Sequence, residues 1–96
     1  MKINELRDGM RKVDVEGNVI EKSDAREVRS RWTNETYKVA DATLEDETGT
    51  ITLTLWNEQV SQVNVGDRVK IENGYIKSFR DVLQLNSGKY GTLTVL

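Results

Sequence analysis

Across residues 50–56 apolar and polar positions alternate strictly. Ile51, Leu53 and Leu55 fall on one side, and Thr50, Thr52, Thr54 and Trp56 on the other. A period of two carried by β-branched residues predicts a half-buried strand. Glu47-Thr48-Gly49, just before it, predicts a tight turn. Residues 37–45 repeat the alternation, with Ala40, Ala42 and Leu44 set against Val39, Asp41 and Thr43. Together these stretches predict a hairpin. Residues 11–21 predict an earlier strand, with Val13 and Val15 in phase. Gly17 interrupts it before Val19 and Ile20, as a glycine at a bulge or sharp bend does. Residues 68–79 predict a long strand whose inward phase is set by Val69 and Ile71 and broken at Asn73-Gly74. With a bulge at Gly74, Ile76 turns inward, and Tyr75, Lys77 and Phe79 share the outer face. Residues 82–86 predict a fifth strand with Leu83 and Leu85 inward, reached through a short turn at Arg80-Asp81. Residues 91–96 supply a final edge segment.

Between the third and fourth strands, residues 57–63 switch to helical spacing. Asn57 is a favourable N-cap, and Val60 and Val63 share a face. The helix is expected to end before Val65-Gly66-Asp67. Three strands, a short helix and two strands is the order of the OB-fold, a five-stranded Greek-key barrel whose closure protects most strand edges. A chain of 96 residues has room for one core. With no repeat, linker or low-complexity stretch, the expectation is an all-β protein with a single OB-fold domain over residues 1–96.

Composition then removes most chemistry. There are no cysteines and no histidines, hence no disulfide, no thiolate nucleophile or metal site, and neither the usual general base near neutral pH nor the commonest zinc ligand. No run of apolar residues approaches the ~20 a membrane span needs, and the first eight residues lack the apolar stretch of a signal peptide. No phosphate-binding glycine loop is present. Glu45-Asp46-Glu47 reads as a solvated hairpin tip rather than a magnesium site. The expectation is a soluble, cytoplasmic binding module without catalytic residues, cofactor or metal.

Net charge is −2, so the chain does not announce nucleic acid through bulk basicity. The charge is uneven, however. Residues 1–48 carry nine basic against twelve acidic side chains, and residues 49–96 carry five against four. Arg26, Arg29, Arg31 and Lys38 form one locally basic segment, and Lys77, Arg80 and Lys89 another. These segments fit either a groove of one sign or an ordinary surface of mixed charge.

Three rings fall out of phase with the core. Trp56 lies on the threonine side of its strand, and Tyr75 and Phe79 lie on the outer side of theirs. Side by side, they would form a stacking platform on which each unpaired base contributes about 1–3 kcal/mol. Lys77 and Arg80 beside them could neutralise phosphates. Thr52, Thr54, Gln84 and Asn86 offer hydrogen bonds on the same surface. Trp32 lies in the polar connection 22–36, which corresponds to one of the ligand-binding loops of OB-folds, with Arg26, Arg29 and Arg31 around it. Two readings of Trp32 stay open: a loop contact to single-stranded nucleic acid, or a lid folded back on the barrel.

These residues resemble a known family. The segment Asp46-Glu47-Thr48-Gly49-Thr50-Ile51-Thr52-Leu53-Thr54-Leu55-Trp56 is similar to the archaeal simple single-stranded DNA-binding proteins. So are Val69-Lys70-Ile71-Glu72-Asn73-Gly74-Tyr75, Phe79 and Leu83-Gln84-Leu85-Asn86-Ser87-Gly88. That family is related to replication protein A and to the human single-stranded DNA-binding OB proteins. The resemblance spans essentially the whole chain, although the first third is generic for the fold. It implies sequence-tolerant binding of single-stranded DNA in replication, repair or recombination, at the nucleoid and by a monomer, with stacking on Trp56, Tyr75 and Phe79. Some members carry tryptophan where this chain has Tyr75. Members commonly have a glycine-rich or acidic C-terminal tail that recruits partner proteins. The sequence ends at Leu96 without one, so that recruitment is expected to be lacking here or to reside outside these residues. The alternatives are an OB module that binds a replication or repair protein through the same face, and a binder of single-stranded RNA.

Overall fold

The computed structural model describes residues 1–88 and 91–96; Lys89, one of the basic residues named above, and Tyr90 lie outside the described residues. A 3₁₀ turn at Ile3–Glu5 is followed by β1 (Arg11–Lys22), β2 (Arg26–Arg29), β3 (Thr36–Asp46), β4 (Gly49–Trp56), α1 (Glu58–Gln62), β5 (Arg68–Phe79), β6 (Val82–Asn86) and β7 (Thr92–Val95). The predicted five strands are β1, β3, β4, β5 and β6, and the helix lies between β4 and β5 as expected. Neighbours run β1–β3–β4–β6–β5, and β5 pairs back onto β1 to close the barrel. β4 and β6 run parallel; the other pairings are antiparallel. β7 adds to the outer edge of β5.

The inward phases read from the alternation build the core. Val13, Val15 and Val19 of β1 meet Ala40, Ala42 and Leu44 of β3, Ile51, Leu53 and Leu55 of β4, Val69, Ile71 and Ile76 of β5, and Leu85 of β6. Leu83 is only partly buried against them. Gly17 lies within the paired β1 strand, but the shift in the β1–β3 ladder comes later, between Val19 and Glu21. What Gly17 provides is proximity: a Cβ there would sit 2.6 Å from the Glu45 carbonyl oxygen. The phase break in β5 is present. Val15 faces Ile71 and Val13 faces Gly74, so β5 spends one extra residue between them, and Asn73 takes a left-handed φ of 56°. Arg80 and Asp81, at φ 52° and 64°, have the left-handed backbone that a two-residue type I′ hairpin turn requires.

Two local expectations are corrected. The connection 22–36 is not a plain loop, because β2 pairs with β3 from Arg26↔Val39 to Arg29↔Thr36 and forms a second hairpin. All four β2 residues are exposed, so no core phase marks the strand. Asn57 occupies the N-cap position without a side-chain cap bond. Its Oδ1 instead accepts the Lys38 N–H at 3.2 Å. The helix is held at its other end, where Lys22 Nζ donates to the carbonyls of Val60 and Val63, orphan acceptors that a cation suits.

The acidic hairpin tip is only partly solvated. Glu45 and Glu47 are exposed, but Asp46 organises the turn. Its Oδ1 accepts from Thr48 N–H, Thr48 Oγ1 and Gly49 N–H, and its Oδ2 from Ile3 N–H. Desolvation pushes this carboxyl up, yet the hydrogen bonds from Thr48, Ile3 and Gly49 outweigh it and bring its pKa from 3.8 down to about 2. A carboxylate depressed in the folded state adds stability above its unfolded pKa and loses it as pH falls through the folded one. In urea unfolding, Asp46→Asn should therefore be less stable than the parent above pH 3.8, and the gap should narrow as pH falls to about 2. A gap that stays constant over that window would refute this role.

Candidate nucleic-acid interface

The registers arrange the outer face of the barrel in rows that cross β3, β4, β6 and β5. One row reads Asp41–Thr54–Asn86–Tyr75 and the next Thr43–Thr52–Gln84–Lys77. A third includes Glu45 and Thr50 on β3 and β4, with Val82 paired to Phe79 on β6 and β5. Trp56 ends β4 opposite Val39. Trp56 and Tyr75 are each 38% exposed and Phe79 is 55% exposed, so all three rings lie outside the core on one surface. Tyr75 and Phe79 are four residues apart on β5, roughly 13 Å at strand rise.

Each ring is braced differently. Trp56 Nε1 donates to Asn86 Oδ1 at 3.3 Å, and its backbone N–H donates to Gln59 Oε1. Gln59 Nε2 in turn donates to Ser87 Oγ at 2.8 Å, so α1 ties Trp56 to the segment after β6. Tyr75 lies against Gly88, where φ is +66° and a Cβ would come 2.7 Å from Tyr75 Cε1. That glycine both accepts the left-handed backbone and makes room for the ring. Phe79 carries the Arg80 guanidinium 5.3 Å from its centroid, a cation–π contact of about 0.5–1 kcal/mol at an exposed site.

Two depressions flank the rings. One, of about 320 Å³, is bounded by Tyr37, Trp56, Gln59, Tyr75, Ser87 and Gly88. The other, of about 450 Å³, lies at the Phe79 end with Lys22, Asp41, Thr52, Arg80 and Gln84 among its walls. Trp56, Tyr75, Phe79, Lys77, Arg80, Thr52, Thr54 and Gln84 thus fall on one face, as expected from strand phase. Thr54 is 6% exposed rather than open, and among the described residues its Oγ1 has no hydrogen-bond partner, nor has Oδ1 of its cross-strand neighbour Asp41.

Trp32 is 96% exposed, which excludes the lid. It stands in the turn of the β2–β3 hairpin, held by Ser30 N–H to Glu35 O. Arg29 in the same hairpin donates to Asn34 Oδ1 at 2.6 and 3.1 Å. Arg31 is exposed beside Trp32. Arg26 turns toward the barrel face and pairs with Asp41 at 3.3 Å. Tyr37 was not singled out from the sequence. Its ring meets Trp56 edge-on, with centroids 6.5 Å apart and an interplanar angle of 84°. The alternation that set Val39 and Asp41 against Ala40, Ala42 and Leu44 also sets Tyr37 on that side. Val39 itself is not open as its phase predicted: it is 3% exposed, with β2 and β4 paired on either side of it at Arg26 and Trp56.

A closed five-stranded barrel with exposed rings on its third and fourth barrel strands defines an OB domain by class. The family model described as single-stranded DNA binding protein Ssb-like, OB fold, matches residues 5–95, and the chain belongs to that family. The chain is 36% identical over 87 residues to the single-stranded DNA binding protein Ssb of Saccharolobus solfataricus, covering 91% of this chain and 57% of that protein. It is also 36% identical over 88 residues to Replication factor A of Methanothermobacter thermautotrophicus, covering 91% of this chain and 11% of that protein. The chain therefore spans little more than half of one curated relative and a small part of the other. Among solved structures, the replication factor A related protein of Methanobacterium thermoautotrophicum aligns with a TM-score of 0.80 at 25% identity, covering 100% of this chain and 89% of that one. The OB domain of Ta0387 from Thermoplasma acidophilum aligns with a TM-score of 0.81 at 23% identity, over 100% of this chain and 85% of that one, which bears on fold alone.

Proposed function

We propose that this chain binds single-stranded DNA with little sequence preference and acts in DNA replication, in the cytoplasm at the nucleoid. The observation that carries this reading is the set of three outward rings, Trp56, Tyr75 and Phe79, on one polar barrel face. A face that exposes flat apolar rings among hydroxyls and amides suits unpaired bases, which have two π-faces and a polar edge. Lys77 lies between Tyr75 and Phe79 on β5 and reaches the phosphates. Arg80 extends the base stacked on Phe79 or moves aside to a phosphate. Thr52 and Gln84 line the base edges. Trp32 with Arg29 and Arg31, on the projecting hairpin, adds a contact outside the main face. The names of the two curated relatives, a single-stranded DNA binding protein and a replication factor, support the same reading.

Titration of a Trp32→Phe variant with oligo-dT tests it, since the remaining indole is Trp56. The expected result is strong quenching that weakens with added salt, with a modest slope because few cations face the rings. A matched RNA oligonucleotide competing equally would widen the substrate to both sugars. Emission unchanged at saturating oligonucleotide would overturn the reading and favour a protein partner for this face.

A further inference from the structure

Beyond Tyr75 the row of outer-face residues continues onto β1, where the cross-strand partner of Tyr75 is Arg11. Two ladder irregularities meet there. From Arg11 to Val13 the partner on β5 advances by only one residue, from Tyr75 to Gly74, so Lys12 is the extra residue of a bulge. Its φ is +55°, a conformation that is uncommon and costly for a residue with a long side chain. The bulge has a geometric result. Val13 is buried, yet Arg11 and Lys12 are both exposed, and two consecutive cations occupy the surface where regular alternation would send one inward. Among the described residues neither makes an ion pair. The nearest acid on their strand, Asp14, has an oxygen engaged by the Asn73 N–H at 2.9 Å.

Arg11 and Lys12 line a depression of about 450 Å³ together with Asn73, Gly74, Tyr75, Ser87 and Gly88. Tyr75, Ser87 and Gly88 also line the depression that holds Trp56. The Tyr75 ring, braced on Gly88, is thus the shared wall of an aromatic pocket on one side and a basic pocket on the other. We propose that the basic pocket is a phosphate subsite that takes the single strand onward, past the base stacked on Tyr75 and around the barrel onto β1. The inference rests on the single-strand reading of the main face and extends it. The occupant is the sugar-phosphate backbone of the same strand, because the pocket adjoins that face and presents two uncommitted cations.

The test is a length series of oligo-dT, about three to ten nucleotides, against the parent and against an Arg11→Gln/Lys12→Asn double variant. Asparagine accepts the left-handed backbone, so the bulge is kept while both charges are lost. The shortest oligonucleotides that quench Trp56 should bind both proteins alike. Longer ones should bind the parent about tenfold more tightly, and the variant's salt slope should fall by about 1.4, since each phosphate contact on a single strand contributes ~0.7. Arg11→Lys should retain most of the effect. An equal loss at every length would mean general steering by charge and would overturn the subsite, as would no loss at any length. If the parent binds no oligo-dT, the single-strand reading itself falls, an outcome visible before the variant is examined.

Discussion

Replacing Trp56 by alanine is expected to weaken binding of single-stranded oligonucleotides roughly five- to hundredfold, the equivalent of the ~1–3 kcal/mol that one stacked base contributes. The fold should survive the change. The indole lies outside the core and is 38% exposed. What disappears is one edge-on contact with Tyr37 and one hydrogen bond to Asn86, together about 1–3 kcal/mol, besides the burial of the covered part of the ring. For a domain of this length each kcal/mol lowers the melting temperature by about 4–8 °C. Trp56→Phe keeps a ring and should fall between parent and alanine in affinity. Thermal melts and titrations on the same samples make the comparison. An alanine variant that fails to fold would place the ring in the core and remove it from the platform.

Leu53→Ala should show the converse pattern. Leu53 is fully buried on the same strand as Trp56, β4, between Ala42 on β3 and Leu85 on β6. Emptying that position costs about 2–5 kcal/mol in transfer and cavity terms, a large share of the ~5–15 kcal/mol that keeps a domain folded. The melting temperature should fall by about 10–30 °C. Well below that temperature the affinity for oligo-dT should match the parent, because Leu53 points away from the face that carries Thr52 and Thr54. Loss of binding in a variant shown to be folded would mean that core packing sets the positions of the rings and that the two surfaces cannot be separated.

The contrast between these substitutions repeats the strand phase seen in the sequence. Where alternation was strict and β-branched, in Ile51-Thr52-Leu53-Thr54-Leu55, both the strand and its two faces were legible. The long strand Arg68–Phe79 was legible to its ends, including the switch at Asn73-Gly74 that turns Tyr75 outward. The features that were not legible depend on pairing rather than on local pattern. β2 has no buried residue and exists because β3 extends past the barrel to receive it. The bulge that brings out Arg11 and Lys12 arises from their register with Tyr75 and Gly74, far away in sequence. Asn57 had the chemistry of a cap, but its Oδ1 is taken by the Lys38 N–H of the adjoining strand. Trp32 had two readings because nothing local separates a ring folded onto a barrel from one held off it; the β2–β3 hairpin decides for the second.

Closure of the sheet has a further result for how the molecule comes into being. Arg11 must find Tyr75, and Thr52 must find Gln84 with the strands running in the same direction, so the decisive encounters join distant stretches of chain. Loops of that size pay their closure entropy before any contact rewards them, which puts such topologies in the millisecond-to-second range of folding times. On a ribosome the first strand waits for residues 68–79 to emerge, and until they do its free edge is open to a neighbouring nascent chain.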